Sequence, residues 1–367
     1  MKLCNAKIYL NGEFVTGGLE FDDVIRGFDG YGGEDLGGGY IVPGFVDIHS
    51  HGAMGADASD GDPDGLQILS AYYAQNGVTS FCPTTMTLKE PELIRAANCV
   101  RDFKRGENGA RIAGIHLEGP FISYAKRGAQ NPDNLHAPDC AMFDRINEAS
   151  GGAVRLITVA PEIDGALEFI AHAAKHCTVS LGHSTANYEQ AMAGFEAGAS
   201  HTTHLFNGME PLHHRKPGLV GAALMAGATV ELICDGMHIH PAVINAVYRM
   251  FGKKLVIISD SLRCAGMPDG EYELGGQPIV MTNGKATLLD GTIAGSSTNL
   301  AQELKNVIGF GLSPEDAIYA LTEAPARAIG CFDTIGSLDK GKYADFLVLD
   351  EDFNLKRVYI GGHCVKK

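Results

Sequence analysis

The feature that most constrains the fold is a regular alternation of two kinds of segment between residue 44 and about residue 330. Short runs of apolar, often β-branched residues are typical of buried strands, and the longer segments between them have apolar residues at helical spacing. Strands that alternate with helices form a parallel sheet, because each helix supplies the crossover between two strands. Eight strand segments predict an α/β chain that folds as a (β/α)8 TIM-like barrel. They are residues 44–50, 79–84, 111–119, 153–161, 178–184, 199–206, 229–236 and 254–261.

The rest of the chain supplies helices, an insertion and a small second domain. Helices are predicted over residues 64–76, 90–104, 163–175, 186–197, 241–251, 298–310 and 313–329. Residues 271–295 alternate like antiparallel strands around an Asn-Gly turn, which predicts an insertion over the barrel mouth and a candidate lid. Both chain ends read as short strands with too little apolar surface to fold alone. We therefore predict a small β-sandwich domain built from residues 1–43 and 334–367, attached to a barrel of residues 44–333.

Charge and composition exclude several classes of protein. The chain has 29 basic and 44 acidic residues and a net charge of -15, which repels nucleic acids and anionic membrane surfaces. No window reaches the roughly 18 apolar residues of a membrane span, and the first residues do not resemble a secretion signal. The nine cysteines stand singly, so we expect reduced thiols and no zinc knuckle. A cytoplasmic protein that binds a small molecule is the remaining expectation.

Six polar residues fall at the ends of predicted strands, where the catalytic groups of parallel barrels are found. His49 and His51 end the first strand and face the same side, because side chains two residues apart on a strand project together. Imidazoles and carboxylates that meet at one barrel mouth form a site for a divalent ion of the Zn or Fe type. The six candidate residues are His49, His51, Glu118, His183, His204 and Asp260.

Two alternatives to a metal site stay open at this point. A single histidine in an apolar strand is more often a hydrogen-bonded core residue, although the joint placement of six residues favours a metal. A non-catalytic scaffold barrel predicts that such residues are lost. His201 and His204 stand three residues apart, so strand alternation predicts that only one of them points inward. His116 faces the same way as Glu118 and is expected to support the site.

A series of motifs carries a resemblance to a known family. PGFVDIHSHG, GIHLEGPF, SLGHS, THLFNGM, CDGMHIHP, VIISDS and IAGS follow one another between residues 43 and 296. In this order they resemble the amidohydrolase superfamily, and within it the subgroup that deacetylates N-acetylglucosamine 6-phosphate. Its members have a metal-dependent barrel and a small β-sandwich made from both chain ends, so the resemblance covers essentially the whole chain.

The resemblance implies a reaction. N-acetyl-D-glucosamine 6-phosphate and water would give D-glucosamine 6-phosphate and acetate, in amino-sugar catabolism and cell-wall sugar recycling. The N-acetylgalactosamine epimer as substrate and another barrel amidohydrolase activity are the alternatives. Enzymes with a carboxylated lysine need a lysine at the end of the fourth strand, and residues 153–161 contain none.

The resemblance also implies roles for particular residues. Glu118, His183 and His204 would bind the main metal, and Asp260 would act as general base and acid. Arg215 would contact the sugar phosphate, in this family often across a homodimer interface. The other implied substrate contacts are Ala129, Gln130, Asn207, Gly208, Asp235, Gly236, Met237, His238, Ile293, Ala294 and Gly295.

Two positions bear on the number of metals and on catalysis. Some members lack the first-strand histidines and bind one metal, whereas this chain has both His49 and His51. One or two Zn or Fe ions are expected, and two are favoured, with His49 and His51 holding the second and Glu118 shared between them. Gln130 stands where some members have a histidine, and either its amide or His238 would stabilise the oxyanion.

Overall fold

A barrel of parallel strands forms the larger part of the molecule. The computed structural model describes residues 1–28 and 32–366; residues 29–31 and residue 367, which belong to the predicted terminal domain, lie outside the described residues. All eight predicted strands are present, and the third is interrupted after two residues. The strands are Phe45–Ser50, Val78–Thr85, Arg111–Ile112 with Ile115–Glu118, Val154–Val159, Thr178–Leu181, His201–Thr202, Thr229–Ile233 and Leu255–Ile258.

The barrel strands lie in chain order. Each one pairs in parallel with the next, from the first strand through to the eighth. Between the eighth and first strands the described residues form no ladder, but the Asp260 N–H donates to the His49 carbonyl at 2.9 Å just beyond the strand ends. The barrel is therefore nearly closed, and its remaining gap is bridged at the mouth.

Ten α-helices occur among the described residues, and the sequence analysis missed two of them. Gly218–Ala226 (GLVGAALMA) is apolar almost throughout, so it has no polar face to reveal helical spacing. Cys140–Ala149 was also missed, although Asp139 caps its N-terminus. The segment predicted as one helix over 313–329 is two, broken at Thr322. The others are Pro63–Gln75, Glu90–Asp102, Ala166–Ala173, Tyr188–Glu196, Pro241–Phe251 and Leu300–Phe310, with short 3-10 turns at Ala58–Asp60, Tyr124–Lys126, Pro132–Asn134 and Gly252–Lys254.

The two chain ends meet in a separate β-sheet domain, which confirms that strands from both ends fold together where a small β-sandwich was predicted. Tyr40–Pro43 pairs in parallel with Lys2–Leu10 and antiparallel with Phe346–Leu349, which joins the N-terminal strands to the C-terminal ones. The strands form one hydrogen-bonded sheet with its own apolar cluster. The next strand, Phe45–Ser50, already belongs to the barrel. The remaining strands of the sheet are Glu13–Phe21, Ile25–Gly27, Glu34–Asp35, Leu355–Ile360 and His363–Lys366.

A three-stranded antiparallel sheet follows the eighth barrel strand. Its strands are Gly270–Leu274, Gln277–Thr282 and Lys285–Leu288, and the predicted Asn-Gly turn connects the last two with positive φ at both residues. The Gln277 side chain donates to the Ala129 carbonyl at 2.6 Å, and Leu274 lines the pocket at the barrel mouth. The insertion therefore forms one wall of that pocket. A two-stranded hairpin, Gly52–Ala53 with Ala56–Asp57, follows the first barrel strand.

None of the helices in the described part of the chain has the length and apolar character needed to cross a membrane.

Candidate metal centre

The six predicted residues converge at the barrel mouth. Their ligand atoms fall into two groups, one of Glu118, His183 and His204 and one of His49, His51 and Asp260, and within each group these atoms lie within 4.8 Å of one another. Glu118 links the groups, because its Oε1 lies 2.9 Å from His204 Nε2 and its Oε2 lies 3.2 Å from His51 Nε2. All six residues are buried.

Hydrogen bonds behind the first-strand histidines fix the direction of their rings. His49 Nδ1 lies 2.9 Å from a carboxylate oxygen of Glu231, and His51 Nδ1 lies 3.1 Å from the Thr84 carbonyl. Both partners are acceptors, so Nδ1 carries the proton in each ring and Nε2 is left with a lone pair in the neutral form. The two Nε2 atoms face Glu118 and Asp260, which confirms the prediction that His49 and His51 project together.

His183 and His204 also direct their Nε2 atoms at Glu118, although only His183 has a hydrogen bond at Nδ1. His183 Nδ1 donates to the Lys126 carbonyl at 2.7 Å, and its Nε2 lies 3.0 Å from that of His204. Both Nε2 atoms are also within 3.1 Å of Glu118 Oε1. Two imidazole nitrogens and a carboxylate oxygen thus point at one small volume.

Three of the six mouth residues have a left-handed backbone conformation. His183, His204 and Asp260 have φ values of 46°, 26° and 47°, which non-glycine residues rarely adopt and which occur most often at functional sites. Each residue lies just past the end of its strand, where this conformation turns the side chain into the mouth. Gly208 packs against this turn, since a Cβ there would lie 2.9 Å from His183 Nδ1.

The donor set fits a divalent metal. His49 Nε2 is buried 3.4 Å from Glu118 Oε1 and has no hydrogen-bond partner, which is costly for a polar atom unless a ligand is bound. Imidazole nitrogens with carboxylate oxygens suit Zn and Fe better than the hard ions Ca and Mg, which prefer oxygen alone. Burial raises the pKa of Glu118, but the imidazoles of His49 and His183 outweigh it and hold the pKa well below its usual value. The shared carboxylate is therefore ionised, as a bridging ligand must be.

Asp260 stands between the centre and the segment after the three-stranded sheet. Its Oδ1 lies 3.3 Å from His51 Nε2, and its carbonyl accepts the Ser296 N–H at 2.7 Å. Gly295 approaches so closely that an added Cβ would lie 2.5 Å from the Asp260 carbonyl. Burial raises the pKa of Asp260, but His49 and His51 reverse the shift, so the net pKa is lowered and the carboxyl is ionised.

A pocket of about 180 Å³ opens at the barrel mouth, and all of the six residues except His49 line it. Eight of the twelve predicted substrate contacts line it, and four do not. Asp235 binds the His238 ring from outside the pocket lining, Gly236 is half-buried, Met237 is exposed, and Arg215 is exposed in the loop after the sixth strand. The eight pocket residues are Ala129, Gln130, Asn207, Gly208, His238, Ile293, Ala294 and Gly295.

The two predicted oxyanion donors both have protein partners. The Gln130 amide nitrogen donates to Glu118 Oε2 at 2.5 Å, and its carbonyl oxygen accepts the Thr87 N–H at 2.6 Å. His238 lies between the Asp235 carboxylate at 2.7 Å and the Ala294 carbonyl at 2.8 Å. Both groups can only accept, so both ring nitrogens donate and His238 is an imidazolium. Burial lowers the pKa of His238, but Asp235 outweighs it and the net pKa is raised.

The sequence analysis missed Glu231, which supports both halves of the centre. Its Oε2 accepts from the His49 ring at 2.9 Å and from the His204 N–H at 3.1 Å, and Oε1 lies 3.1 Å from His201 Nε2. The prediction that only one of His201 and His204 points inward was wrong, because His204 lies past the strand end and escapes the alternation. His116 lies under His49, with ring centroids 4.5 Å apart. The sequence feature that could have revealed Glu231 is a charged residue within the apolar strand TVELI.

Fold and site together define a class. A parallel barrel whose strand ends gather histidines and carboxylates can hold a divalent ion at its mouth, which is the arrangement of metal-dependent barrel hydrolases among other barrel enzymes. The model of the Amidohydrolase family matches residues 40–365, and the chain belongs to this family.

Relatives of known activity narrow the comparison. The chain is 38% identical to N-acetylglucosamine-6-phosphate deacetylase of Bacillus subtilis (strain 168) over 85% of this chain and 81% of the relative. It is 36% identical to N-acetylgalactosamine-6-phosphate deacetylase of Escherichia coli O157:H7 over 88% of this chain and 86% of the relative. A structure of a mutant N-acetyl-D-glucosamine-6-phosphate deacetylase from Mycobacterium smegmatis, in complex with N-acetyl-D-glucosamine-6-phosphate, superposes with a TM-score of 0.94 at 33% identity, covering 100% of this chain and 99% of that one.

Proposed function

We propose that this enzyme hydrolyses the acetamide of N-acetyl-D-glucosamine 6-phosphate to D-glucosamine 6-phosphate and acetate. The observation that carries the proposal is the convergence of Glu118, His183, His204 and Asp260 beneath one pocket, in a chain that is 38% identical to a deacetylase of this substrate. The reaction belongs to amino-sugar catabolism and cell-wall sugar recycling. We assign it to the cytoplasm, where the charge of a sugar phosphate retains it.

Glu118, His183 and His204 would hold the main metal. A divalent ion in such a site lowers the pKa of bound water to about 7 and polarises a carbonyl oxygen. His49 and His51 would hold a second Zn or Fe ion, with Glu118 shared. The evidence for two is that all four Nε2 atoms point toward the Glu118 carboxylate.

Asp260 would move the proton that the reaction requires. As an ionised carboxylate beside His51 it can accept a proton from the attacking water. It would then donate that proton to the nitrogen of the sugar, because an amine anion is too basic to leave unprotonated. The imidazolium of His238 would stabilise negative charge on the carbonyl oxygen once the substrate displaces its contact with Ala294.

Binding of the sugar phosphate requires a cation near its phosphate group. Arg215 does not line the pocket of its own chain and so does not supply that cation there. We propose that Arg215 contacts the phosphate of a substrate molecule bound in the other subunit of a homodimer. Arg215 is exposed and lies outside the pocket of its own chain, which is consistent with this role. Asn207 and Gly208, which precede Arg215 in the same loop, do line the pocket. Phosphate binding far from the reacting bond would position the acetamide.

A second candidate substrate is N-acetyl-D-galactosamine 6-phosphate. The similarity to the deacetylase of that sugar is nearly as high, at 36% identity. The two sugars differ at one hydroxyl, which a pocket discriminates only through the hydrogen bonds it offers.

The test measures acetate release from both sugar phosphates by the enzyme loaded with Zn(II) or with Fe(II). We expect the glucosamine derivative to have the higher kcat/KM, and Asp260→Asn to lose about 10²- to 10⁴-fold in kcat while keeping its metal. A wild-type enzyme inactive on both sugars with either metal would exclude the proposal. A higher kcat/KM for the galactosamine derivative would support the second candidate.

A further inference from the structure

A further cluster of residue types that can bind a metal lies on the outer helices of the barrel. It consists of Asp144 on Cys140–Ala149, His172 on Ala166–Ala173, and His176 just after that helix. His172 Nε2 lies 2.7 Å from Asp144 Oδ1, and one ligand atom from each residue lies within 4.8 Å of the other two. None of the three lines the pocket at the barrel mouth. All three are at least partly exposed, so an ion can reach them from solvent.

Local structure holds the two imidazoles side by side. They are four residues apart, and the His176 N–H donates to the Ala173 carbonyl at 2.9 Å, so the chain continues to turn after the helix ends. Their ring centroids are 5.5 Å apart. The buried ring of Phe143 lies beneath both, with centroids 6.2 Å from His172 and 6.1 Å from His176. The ring pair therefore rests on a rigid apolar floor.

The distances allow one ion to reach all three ligands. Zinc binds imidazole nitrogen and carboxylate oxygen at about 2.0 to 2.2 Å in tetrahedral geometry, so its ligand atoms lie roughly 3.4 Å apart. The longest separation here is bounded by 4.8 Å, so side-chain rotations that move the ligand atoms by up to about 1.4 Å close the site. Exposed side chains can make such rotations without disturbing the core.

The surrounding charge also favours a cation. Glu168 lies one helical turn before His172, and Cys140 lies one turn before Asp144. Burial raises the pKa of the Cys140 thiol, and the carboxylates of Glu168 and Asp144 raise it further. The two helices thus present acidic groups to each other along the edge that holds the histidines.

We propose that Asp144, His172 and His176 bind a divalent ion of the zinc class and that this ion joins the two outer helices. Two imidazoles and one carboxylate match the donors of zinc, with solvent at the fourth position, and do not match the all-oxygen preference of calcium or magnesium. Bound ion stabilises the folded chain, because the unfolded chain does not hold the three ligands together. The proposal does not depend on the activity of the barrel mouth.

The test counts zinc on the enzyme with its central site already loaded. The protein is dialysed against dilute zinc chloride, and zinc per chain is measured for wild type, His176→Ala, Asp144→Asn and the matched control His363→Ala, which removes an exposed histidine of the terminal sheet. We expect wild type and His363→Ala to bind about one more zinc than the other two variants. Zinc should also raise the melting temperature of wild type and His363→Ala more than that of His176→Ala.

Two results would overturn the proposal. One is equal zinc content in wild type, His176→Ala and Asp144→Asn. The other is a wild type that binds no zinc beyond its central site. Calcium chloride in place of zinc chloride should change the melting temperatures of wild type and His176→Ala by the same amount. A larger rise in wild type would assign the site to hard cations instead of zinc.

Discussion

Replacing Glu231 with glutamine should weaken the second metal at the barrel mouth while leaving the fold intact. The carboxylate accepts from the His49 ring at 2.9 Å and from the His204 N–H at 3.1 Å through the same oxygen. Glutamine has nearly the same shape, and its carbonyl can keep both hydrogen bonds. What it removes is the negative charge behind the ring of His49, which makes Nε2 a stronger ligand.

The size of the effect follows from that lost charge. A hydrogen bond to a charged group contributes about 1.5 to 3 kcal/mol, and one between neutral groups about 0.5 to 1.5 kcal/mol. The difference of roughly 1 to 1.5 kcal/mol corresponds to about a tenfold loss of affinity for the ion held by His49. Glu231→Leu should cost closer to 100-fold, because the His49 Nδ1–H is then buried without an acceptor.

The assay strips the enzyme of metal and titrates zinc back against a chromophoric chelator. Glu303→Gln controls for exchanging a buried glutamate away from the centre, since Glu303 is fully buried and accepts from the Cys234 N–H but contacts no predicted ligand. The raised pKa of Glu303 keeps it protonated, so this control changes the side chain without removing a charge. Combining Glu231→Gln with His49→Ala should cost little more than His49→Ala alone, because both act on one ligand. Wild-type affinity for both ions in Glu231→Gln, or an equal loss in Glu303→Gln, would refute the reasoning.

Four further predictions concern the site and the fold. Changing His49 and His51 together to alanine should lower the metal content of the barrel mouth from two ions to one. Elemental analysis in the His176→Ala background measures this without counting an ion on the outer helices, and two ions in the variant would contradict the assignment. Arg215→Ala should raise KM at least about tenfold for the sugar phosphate and little for N-acetylglucosamine, and equal effects on the two would refute phosphate binding. Burial, together with repulsion from nearby carboxylates, raises the pKa of Glu303 well above its usual value. The folded chain therefore holds a proton that the unfolded chain loses above pH about 4.3, so the free energy of unfolding falls as pH rises. Denaturant titrations at pH 6 and pH 8.5 should show a smaller fall in Glu303→Gln than in wild type. Phe346→Ala, which empties the stacked aromatic core of the terminal sheet, should cost about 3 to 5 kcal/mol in the free energy of unfolding of that sheet, detectable as earlier hydrogen exchange there than in the barrel.

The sequence predicted the positions of the site residues better than their surroundings. All six mouth residues follow from a simple rule, because strand ends of a parallel barrel share one face and polar residues there stand out against apolar runs. Glu231 escaped this rule since it lies inside a strand, where its partners come from strands one and six and from no neighbour in sequence. Arg215 was implied as a phosphate contact, but loop position is not encoded by any periodic pattern. A nearly uniform apolar helix such as Gly218–Ala226 is likewise invisible to a test based on amphipathic contrast.

The error over His201 and His204 has a physical cause that also explains how the mouth is built. Alternation of faces holds only while the backbone is extended, and His183, His204 and Asp260 all leave it with positive φ. Each such residue costs roughly 1 to 3 kcal/mol and persists only where its surroundings fix it. Here backbone hydrogen bonds do so: Ser123 to the His183 carbonyl at 2.9 Å, and Asp260 to the His49 carbonyl at 2.9 Å. Histidine and aspartate adopt left-handed backbone more readily than most residues. Histidine and aspartate can thus both bind a metal and turn inward at the end of a strand, so at these three positions one choice of residue satisfies the chemistry and the backbone together.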